Sequence, residues 1–252
     1  MRLKSKNALI TGAGGPMGGA IAHKYAAQGA DLILTDISGT RLKNTADKLR
    51  DEFPDRTIKD MRASVIARDE AQALADFALA SFGRVDILVN VVGGIRSAQL
   101  YTPFLELSEE QWDETFALNL KGGFFLMQHL VPGMQTREYG KIINISSVVF
   151  SGEVGQVDYA AAKAAVASMT RSLAEEFAPH INVNCIAPGV IRTSVTERMS
   201  DEDISRMTAK SFIQRLGEAG EIADAAAFLA SDEAAFVTGE ILAVSGGNHP
   251  GL

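Results

Sequence analysis

Residues 7–19 read NALITGAGGPMGG, so that a short apolar run passes directly into a glycine-rich turn. The chain then continues with helical periodicity as far as Gln28. Glycines allow a tight bend between a strand and a helix, and they let the backbone approach a pyrophosphate. The N-terminus of the following helix offers free N–H groups and a positive dipole end to such an anion. The stretch therefore predicts a strand, a phosphate-binding turn and a helix, with a purely structural turn as the alternative.

The same alternation of short apolar runs and longer amphipathic segments continues along the chain. Several runs are apolar on both faces, which is typical of parallel strands covered by helices on both sides. Strands are predicted at residues 7–11, 32–35, 57–65, 85–91, 141–145, 181–186 and 240–244, and helices at 17–28, 40–52, 69–82, 109–134, 159–177 and 221–230. No linker or composition break interrupts this pattern. We therefore expect one doubly wound α/β domain of the Rossmann type over residues 1–252, with a parallel sheet of about seven strands.

The composition argues against several classes of partner and site. The chain has 24 Lys and Arg against 31 Asp and Glu, a net charge of -7, so neither nucleic acid nor an anionic membrane surface is expected as a partner. Cys185 is the single cysteine and the four histidines are scattered, so we expect no disulfide and no metal site. No apolar run approaches the ~20 residues that cross a bilayer, and we expect a cytoplasmic protein.

Asp36 ends the second predicted strand, about 20 residues after the glycine turn, where an acidic residue accepts hydrogen bonds from an adenosine ribose. A turn residue or helix cap before Ser38 is the alternative reading of this carboxylate. Farther along, Tyr159 and Lys163 stand four residues apart on a predicted helix and so share one face. A neighbouring ammonium favours the phenolate form of a tyrosine, so this pair is a candidate acid/base group. A half-buried structural tyrosine on an alanine-rich helix face is the alternative.

Six motifs in register resemble the short-chain dehydrogenase/reductase family, over nearly the whole chain. Residues 11–18 resemble its T-G-x-x-x-G-x-G turn, residues 90–93 its N-N-A-G strand end, Asn119 its catalytic asparagine, Ser146-Ser147 its strand-end serine, residues 159–163 its Y-x-x-x-K motif, and Pro188-Gly189 its P-G turn. Four positions depart from the pattern, namely Pro16, Ser64, Val91 and Val92. Pro16 lacks an N–H but suits a first helical position, so we expect an altered pyrophosphate cradle that still binds.

The resemblance implies a catalytic set of Asn119, Ser147, Tyr159 and Lys163. In it, Ser147 would hold the substrate oxygen, with Ser146 as the competing candidate, and Tyr159 would exchange the proton. Lys163 would also bind the nicotinamide ribose, and Asn119 would support a water-mediated proton relay. The implied cofactor-binding residues are Gly12, Gly15, Met17, Gly18, Asp36, Ser64, Val65, Asn90, Gly93, Tyr159, Lys163, Pro188, Gly189, Val190, Ile191 and Thr193.

The substrate is expected at the ends of strands four to six, with residues 188–214 as a lid. The expected substrate-binding residues are Gly94, Arg96, Ser147, Val149, Phe150, Gln156 and Tyr159. Ile95, Glu153 and Val190 are also expected to line the pocket. Most of this pocket is apolar, which suits an alicyclic, aromatic or acyl ketone. Arg96 could meet a substrate anion, or it could be a solvated surface arginine.

The resulting hypothesis is an NAD(H)-dependent oxidoreductase that interconverts a secondary alcohol and a ketone. The alternatives are a catalytically silent dinucleotide-binding or scaffold protein and a family member with lyase or epimerase chemistry. NAD(H) is favoured over NADP(H) because the Asp36 carboxylate would repel a 2′-phosphate. Arg41 is the nearest cation, and because it lies inside the next helix we expect it to point elsewhere.

We predict a homo-oligomer, most simply a homotetramer. The helix at 159–177 is rich in alanine, and small side chains let a second helix approach closely. The long helix at 109–134 carries Phe116, Phe124, Phe125 and Met127 beyond what one sheet face needs. Static light scattering at micromolar concentration should therefore give a mass of several chains, and a 26.9 kDa monomer would contradict this prediction.

Overall fold

A computed structural model describes residues 1–95, 99–193, 196 and 199–248. Seven strands form one sheet in the order β3-β2-β1-β4-β5-β6-β7, and every neighbouring pair is parallel. The strands are β1 (Asn7–Thr11), β2 (Asp31–Thr35), β3 (Ile58–Asp60), β4 (Ile87–Asn90), β5 (Gly140–Ile145), β6 (Ile181–Pro188) and β7 (Ile241–Val244). The predicted doubly wound parallel sheet is confirmed.

Eight helices are described around this sheet. They are α1 (Pro16–Ala27), α2 (Gly39–Glu52), α3 (Arg68–Phe82), α4 (Glu109–Phe116), α5 (Gly122–Thr136), α6 (Val157–Glu176), α7 (Asp201–Thr208) and α8 (Ala219–Leu229). None of the helices in the described part of the chain is long and apolar enough to span a bilayer.

The sheet is buried on both faces by two separate apolar clusters. Leu9 and Ile10 are neighbours on β1, yet Leu9 packs into one cluster and Ile10 into the other. Helices α1, α2 and α8 contribute to the cluster around Ile10, whereas α3 and α5 contribute to the cluster around Leu9. Successive side chains of a strand point to opposite faces, so the near-continuous apolar runs of the sequence are explained by helices on both sides.

Two predicted elements differ substantially from the structure, whereas the bounds of the other predicted elements agree within two residues. The strand expected at 57–65 is confined to Ile58–Asp60, and beyond it the chain leaves the sheet while Ala63 and Val65 pack into the cluster around Leu9. The single helix expected at 109–134 is divided by a π-helical turn, Ala117–Lys121, which lies between α4 and α5 and contains the buried Asn119. Such turns occur mostly as local bulges inside α-helices, often at functional sites.

The chain changes direction across the sheet between β1 and β4, and Thr11 joins the two strands there. The buried hydroxyl of Thr11 donates to the carbonyl of Val89 (3.4 Å) and accepts from the N–H groups of Val91 (2.9 Å) and Val92 (3.2 Å). In open α/β sheets a ligand crevice forms at such a switch point, beyond the carboxyl ends of the strands. Thr11 therefore fixes the backbone at the base of the crevice.

We predict that Thr11→Val lowers the free energy of unfolding by about 2–4 kcal/mol, because the buried N–H of Val91 and the partly buried N–H of Val92 lose their acceptor. Thr35→Val is the matched control. Thr35 lies opposite Thr11 on β2 and is equally buried, but its hydroxyl has no hydrogen-bond partner among the described residues. Chemical denaturation should find that control nearly neutral or stabilising. Equal losses for the two variants would contradict the role given to Thr11.

Candidate active site

A cleft of about 360 Å³ lies beyond the carboxyl ends of β1, β2 and β4. Nine of the predicted cofactor-binding residues line it: Gly12, Gly15, Met17, Gly18, Asp36, Ser64, Val65, Gly93 and Thr193. The other lining residues were not in the predicted cofactor-binding set, although Pro16, Val91 and Val92 lie within two of the motifs: Pro16, Ile37, Arg41, Ala63, Ile66, Val91, Val92 and Leu118. Most of these are apolar neighbours of a predicted residue, so that only their position in space marks them.

The glycine turn shapes one wall of this cleft. Gly12 has a φ of +66°, which favours glycine, and a Cβ on Gly18 would lie 2.2 Å from the carbonyl oxygen of Gly12. Helix α1 begins at Pro16, directly after Gly15, as the predicted first helical position of that proline requires. The positive end of α1 therefore faces the cleft, and the turn fits a pyrophosphate.

Asp36 is almost fully buried at the edge of the cleft and holds the glycine turn against β2. One carboxylate oxygen accepts from the N–H of Gly14 (3.1 Å), and the other accepts from the N–H of Ser38 (2.8 Å). Arg41 donates its Nη2 to that second oxygen at 3.2 Å. A Cβ on Gly14 would lie 3.0 Å from the Asp36 carboxylate, so the close approach depends on glycine.

The expectation that Arg41 points elsewhere was wrong. Arg41 is the third residue of α2, after the capping Ser38, and its guanidinium both contacts Asp36 and lines the cleft. Side chains on a helix tilt toward its N-terminus, and a residue in the first turn therefore reaches back over the end of the preceding strand. The position of Arg41 in the helix was the signal that could have found this contact.

A second pocket, of about 480 Å³, lies beside the ends of β5 and β6. Of the predicted substrate-binding residues, Ser147, Val149, Gln156 and Tyr159 line it, whereas Gly94 and Phe150 do not. Arg96 lies outside the described residues. Gly189 and Val190, predicted for the cofactor, also line this second pocket.

The remaining walls were predicted in part. Ile95, Glu153 and three residues of the predicted lid (Arg206, Met207 and Lys210) line the pocket as expected, whereas Leu100, Tyr101, Val148 and Asn248 had not been assigned to it. The three lid residues belong to or directly follow α7, within the predicted lid at 188–214, of which 194–195 and 197–198 lie outside the described residues. Lys210 Nζ pairs with both carboxylate oxygens of Glu153, at 2.9 and 3.1 Å, and so joins the end of α7 to the opposite wall.

Ser147 and Tyr159 face this pocket, and Lys163 lies behind them. Lys163 is buried and its Nζ donates to the carbonyl of Ile145 at 2.8 Å, 5.6 Å from the centre of the Tyr159 ring. A Cβ on Gly93 would lie 2.8 Å from Lys163 Nζ. Since Gly93 lines the cleft described first, the ammonium lies between the cleft and the pocket.

Burial dominates the protonation of both side chains. It raises the pKa of Tyr159 to about 12, although a hydrogen bond with the Ser147 hydroxyl acts in the opposite direction. It lowers the pKa of Lys163 to about 8. In the free protein burial therefore favours the phenol form of Tyr159, and not the phenolate that was expected beside Lys163. At neutral pH Tyr159 is a phenol that can donate a proton.

Two further predicted residues have structural contacts that clarify their positions. Ser146 is buried and donates to the main-chain carbonyl of Lys163 at 2.8 Å, so Ser147 and not Ser146 faces the pocket. The amide nitrogen of Asn119 donates to the carbonyls of Gly94 (2.9 Å) and Thr115 (2.8 Å), and its oxygen accepts from the N–H of Gly94 (3.0 Å). Asn119 thereby holds the segment that follows β4.

Besides Lys163, three of the predicted cofactor residues line neither cavity. Asn90 donates its amide to Asn144 Oδ1 at 2.9 Å and so joins β4 to β5 behind the cleft. Pro188 ends β6, and Ile191 is buried and forms a bridge with Gly217. These residues support the walls from behind.

Comparisons with known proteins agree with this geometry. Residues 12–249 match a family model described as Enoyl-(Acyl carrier protein) reductase. The 3-oxoacyl-[acyl-carrier-protein] reductase FabG of Thermotoga maritima is 39% identical over 251 residues, which is 98% of this chain and 99% of the relative. The (2S)-[(R)-hydroxy(phenyl)methyl]succinyl-CoA dehydrogenase subunit BbsD of Thauera aromatica is 37% identical over 250 residues, which is 98% of both chains.

A solved structure is also similar over nearly the whole fold. It is a 7 alpha-hydroxysteroid dehydrogenase in complex with NADH and 7-oxo glycochenodeoxycholic acid, with a TM-score of 0.89 and 35% sequence identity. The match covers 98% of this chain and 95% of that structure. The motifs, the fold and these similarities agree, and the chain belongs to the short-chain dehydrogenase/reductase family of oxidoreductases.

Proposed function

We propose that this chain is an NAD(H)-dependent oxidoreductase that interconverts a secondary alcohol and a ketone. The observation that carries the proposal is the position of three side chains between two cavities. Ser147 and Tyr159 line the substrate pocket, and the Lys163 ammonium lies against Gly93 in the wall of the dinucleotide cleft. A silent binding module would have no use for an acid/base group at that junction.

The residues of the cleft fit a nicotinamide dinucleotide. The glycine turn and the N-terminus of α1 would hold the pyrophosphate, Asp36 the adenosine ribose, and Lys163 the nicotinamide ribose. Ser64 and Val65 would border the adenine, and Thr193 the carboxamide. When bound, the nicotinamide supplies the hydride chemistry, and the protein supplies position and proton transfer.

Each catalytic side chain then has a defined role in the transfer of the proton. The Ser147 hydroxyl holds the substrate oxygen, and the Tyr159 phenol donates a proton to that oxygen during ketone reduction. The charge of Lys163 stabilises the tyrosine after it has lost its proton. Asn119 fixes Gly94 beside the junction, and we retain it as part of a water-mediated relay that returns a proton toward Lys163. In alcohol oxidation the proton moves in the reverse direction.

The substrate pocket suits an apolar ketone with a polar group at its far end. Val148, Val149 and Met207 supply apolar surface, whereas Arg206 and Lys210 place cations at the end of α7. We propose that residues 188–214 act as a lid over this pocket. The relatives' names point to 3-oxoacyl groups on acyl carrier protein, a hydroxy(phenyl)methyl succinyl-CoA and 7-oxo glycochenodeoxycholic acid as substrate types to screen first.

The screen measures consumption of NADH at 340 nm with each type of ketone and formation of NADH with each alcohol. Turnover in either direction supports the proposal. Binding of NADH without turnover of any of these classes would favour the silent binding module, and product without net change of NADH would favour lyase or epimerase chemistry.

We further propose that the active form is a homotetramer. Phe124 on α5 is 43% exposed in the isolated chain, and α6 carries small residues along the helix. Both features favour close packing against helices of another copy.

Tyr159→Phe is predicted to lower kcat by about 10²–10⁴-fold while leaving NADH affinity within twofold, because it removes the proton donor and keeps the ring. Tyr101→Phe is the matched control, since it removes a hydroxyl from the same pocket away from Lys163. That control should keep kcat within about threefold. A Tyr159→Phe enzyme with more than a tenth of the wild-type rate would contradict the assignment.

The wild-type protein is predicted to prefer NAD(H) over NADP(H) by at least tenfold in kcat/KM. The Asp36 carboxylate would lie close to a 2′-phosphate, and two like charges ~4 Å apart repel by about 1 kcal/mol in water and about 4 kcal/mol at an intermediate dielectric. Asp36→Asn removes the charge and keeps an acceptor oxygen. It should narrow the preference, and equal use of both cofactors by the wild type would reduce Asp36 to a turn residue.

A further inference from the structure

The carboxylate of Asp36 is almost fully engaged before any ribose reaches it. A carboxylate offers about four lone-pair positions to donors. Ser38 N–H and Arg41 Nη2 both donate to Oδ1, and Gly14 N–H donates to Oδ2. One position therefore remains, on Oδ2, whereas the two hydroxyls of a ribose need two.

Of the three donors, only Arg41 can move without rebuilding the site. The N–H groups of Gly14 and Ser38 belong to the glycine turn and to the cap of α2, which the fold fixes. The Arg41 side chain is 60% exposed, and it reaches Asp36 from the rim of the cleft. A ribose that takes both oxygens of Asp36 would therefore displace the guanidinium from Oδ1.

A displaced guanidinium stays near the ribose because its backbone is anchored. Arg41 N–H is capped by the Ser38 hydroxyl, and its carbonyl accepts from Thr45. On the other side of the same segment, Arg62 donates its Nε to the carbonyl of Ile37 at 3.1 Å. Two guanidinium groups thus flank residues 36–39. Guanidinium groups bind phosphate through paired hydrogen bonds, so a 2′-phosphate at this rim would find a counter-charge.

We propose that Arg41 is a cofactor-selectivity residue that makes the protein less strict than Asp36 alone would make it. Arg41 neutralises Asp36 in the free protein and yields the carboxylate to the ribose of NAD(H). It remains as the cation that permits weaker binding of NADP(H). This inference rests on the proposed use of nicotinamide dinucleotides, and it adds a residue that opposes the discrimination by Asp36.

The test is isothermal titration calorimetry of NADH and NADPH into the full-length wild-type and variant chains, without substrate. Arg41→Gln removes the guanidinium charge and leaves the backbone contacts of the first turn. We expect NADPH to bind about tenfold more weakly or worse, and NADH to bind equally well or more tightly. Arg41→Lys keeps the charge but not the paired donors, and its NADPH affinity should fall between wild type and Arg41→Gln.

Lys43→Gln is the matched control, because it removes one positive charge from the same helix. Lys43 pairs with Asp47 on its own helix, and within the described part of the chain Lys43 makes no hydrogen bond or ion pair with Asp36. The NADPH-to-NADH affinity ratio should change less than twofold in this variant. A similar change in Arg41→Gln and Lys43→Gln would mean that only net charge matters and would overturn the proposal.

The outcomes also separate this inference from the proposed function. If the wild type binds NADH but not NADPH at millimolar concentration, Arg41 supplies no useful counter-charge and the inference fails alone. The same holds if Arg41→Gln leaves the affinity ratio unchanged. If neither dinucleotide binds the wild type, both the inference and the proposed function fail.

Discussion

The hydroxyl of Thr11 is the contact on which both cavities depend. Its hydrogen bonds with Val89, Val91 and Val92 fix the end of β1 to the segment that leaves β4. At this point the connections from the two strands diverge across the sheet. The divergence opens the dinucleotide cleft on one side of Gly12, and it carries Gly93 toward Lys163 on the other. In this chain the second asparagine and the alanine of the family's N-N-A-G motif are valines, so that the backbone N–H groups and the Thr11 hydroxyl supply the connection.

Gly93 brings the dinucleotide cleft next to the side chains of Asn119 and Lys163. A side chain at this position would collide with Asn119 Oδ1 and Lys163 Nζ, so its absence lets an ammonium and a dinucleotide cleft share one wall. Asn119 reaches this point because the π-helical turn between α4 and α5 places it there. A buried asparagine inside a helix is otherwise unfavourable, and here both amide hydrogens of Asn119 are donated to the carbonyls of Gly94 and Thr115, while Oδ1 accepts from the N–H of Gly94.

Features that depend on the spacing of residues close together in the sequence could be predicted, whereas contacts set by side-chain direction or by distant segments could not. The glycine turn, Asp36 and the Tyr159–Lys163 pair are local patterns with fixed spacing, and the parallel sheet follows from apolar runs with helices between them. The contact of Arg41 with Asp36 depends on the direction of a side chain in one helical turn, which a count of residues does not reveal. The far wall of the substrate pocket depends on α7 packing across from Glu153, a relation between segments 57 residues apart. The π-helical turn has no signature in the apolar pattern, because one turn of altered register hardly changes the helix period.

Burial also sets the protonation states of Tyr159 and Lys163 in the free protein. Removing a phenol from water raises its pKa, to about 12 for Tyr159, and removing an ammonium from water lowers its pKa, to about 8 for Lys163. Both shifts disfavour charge, so at neutral pH the free protein holds a protonated tyrosine beside a lysine that keeps its proton less firmly than usual. That arrangement is ready to give a proton to a substrate oxygen, as ketone reduction requires.

Alcohol oxidation starts from the phenolate form of Tyr159. Rising pH favours this phenolate, but it also removes the charge of Lys163 that would stabilise the phenolate. The hydrogen bond from Ser147 acts in the favourable direction for oxidation, since it lowers the pKa of the phenol that burial has raised. In the proposed reaction, the balance between this hydrogen bond and burial would set how readily Tyr159 changes between the two forms.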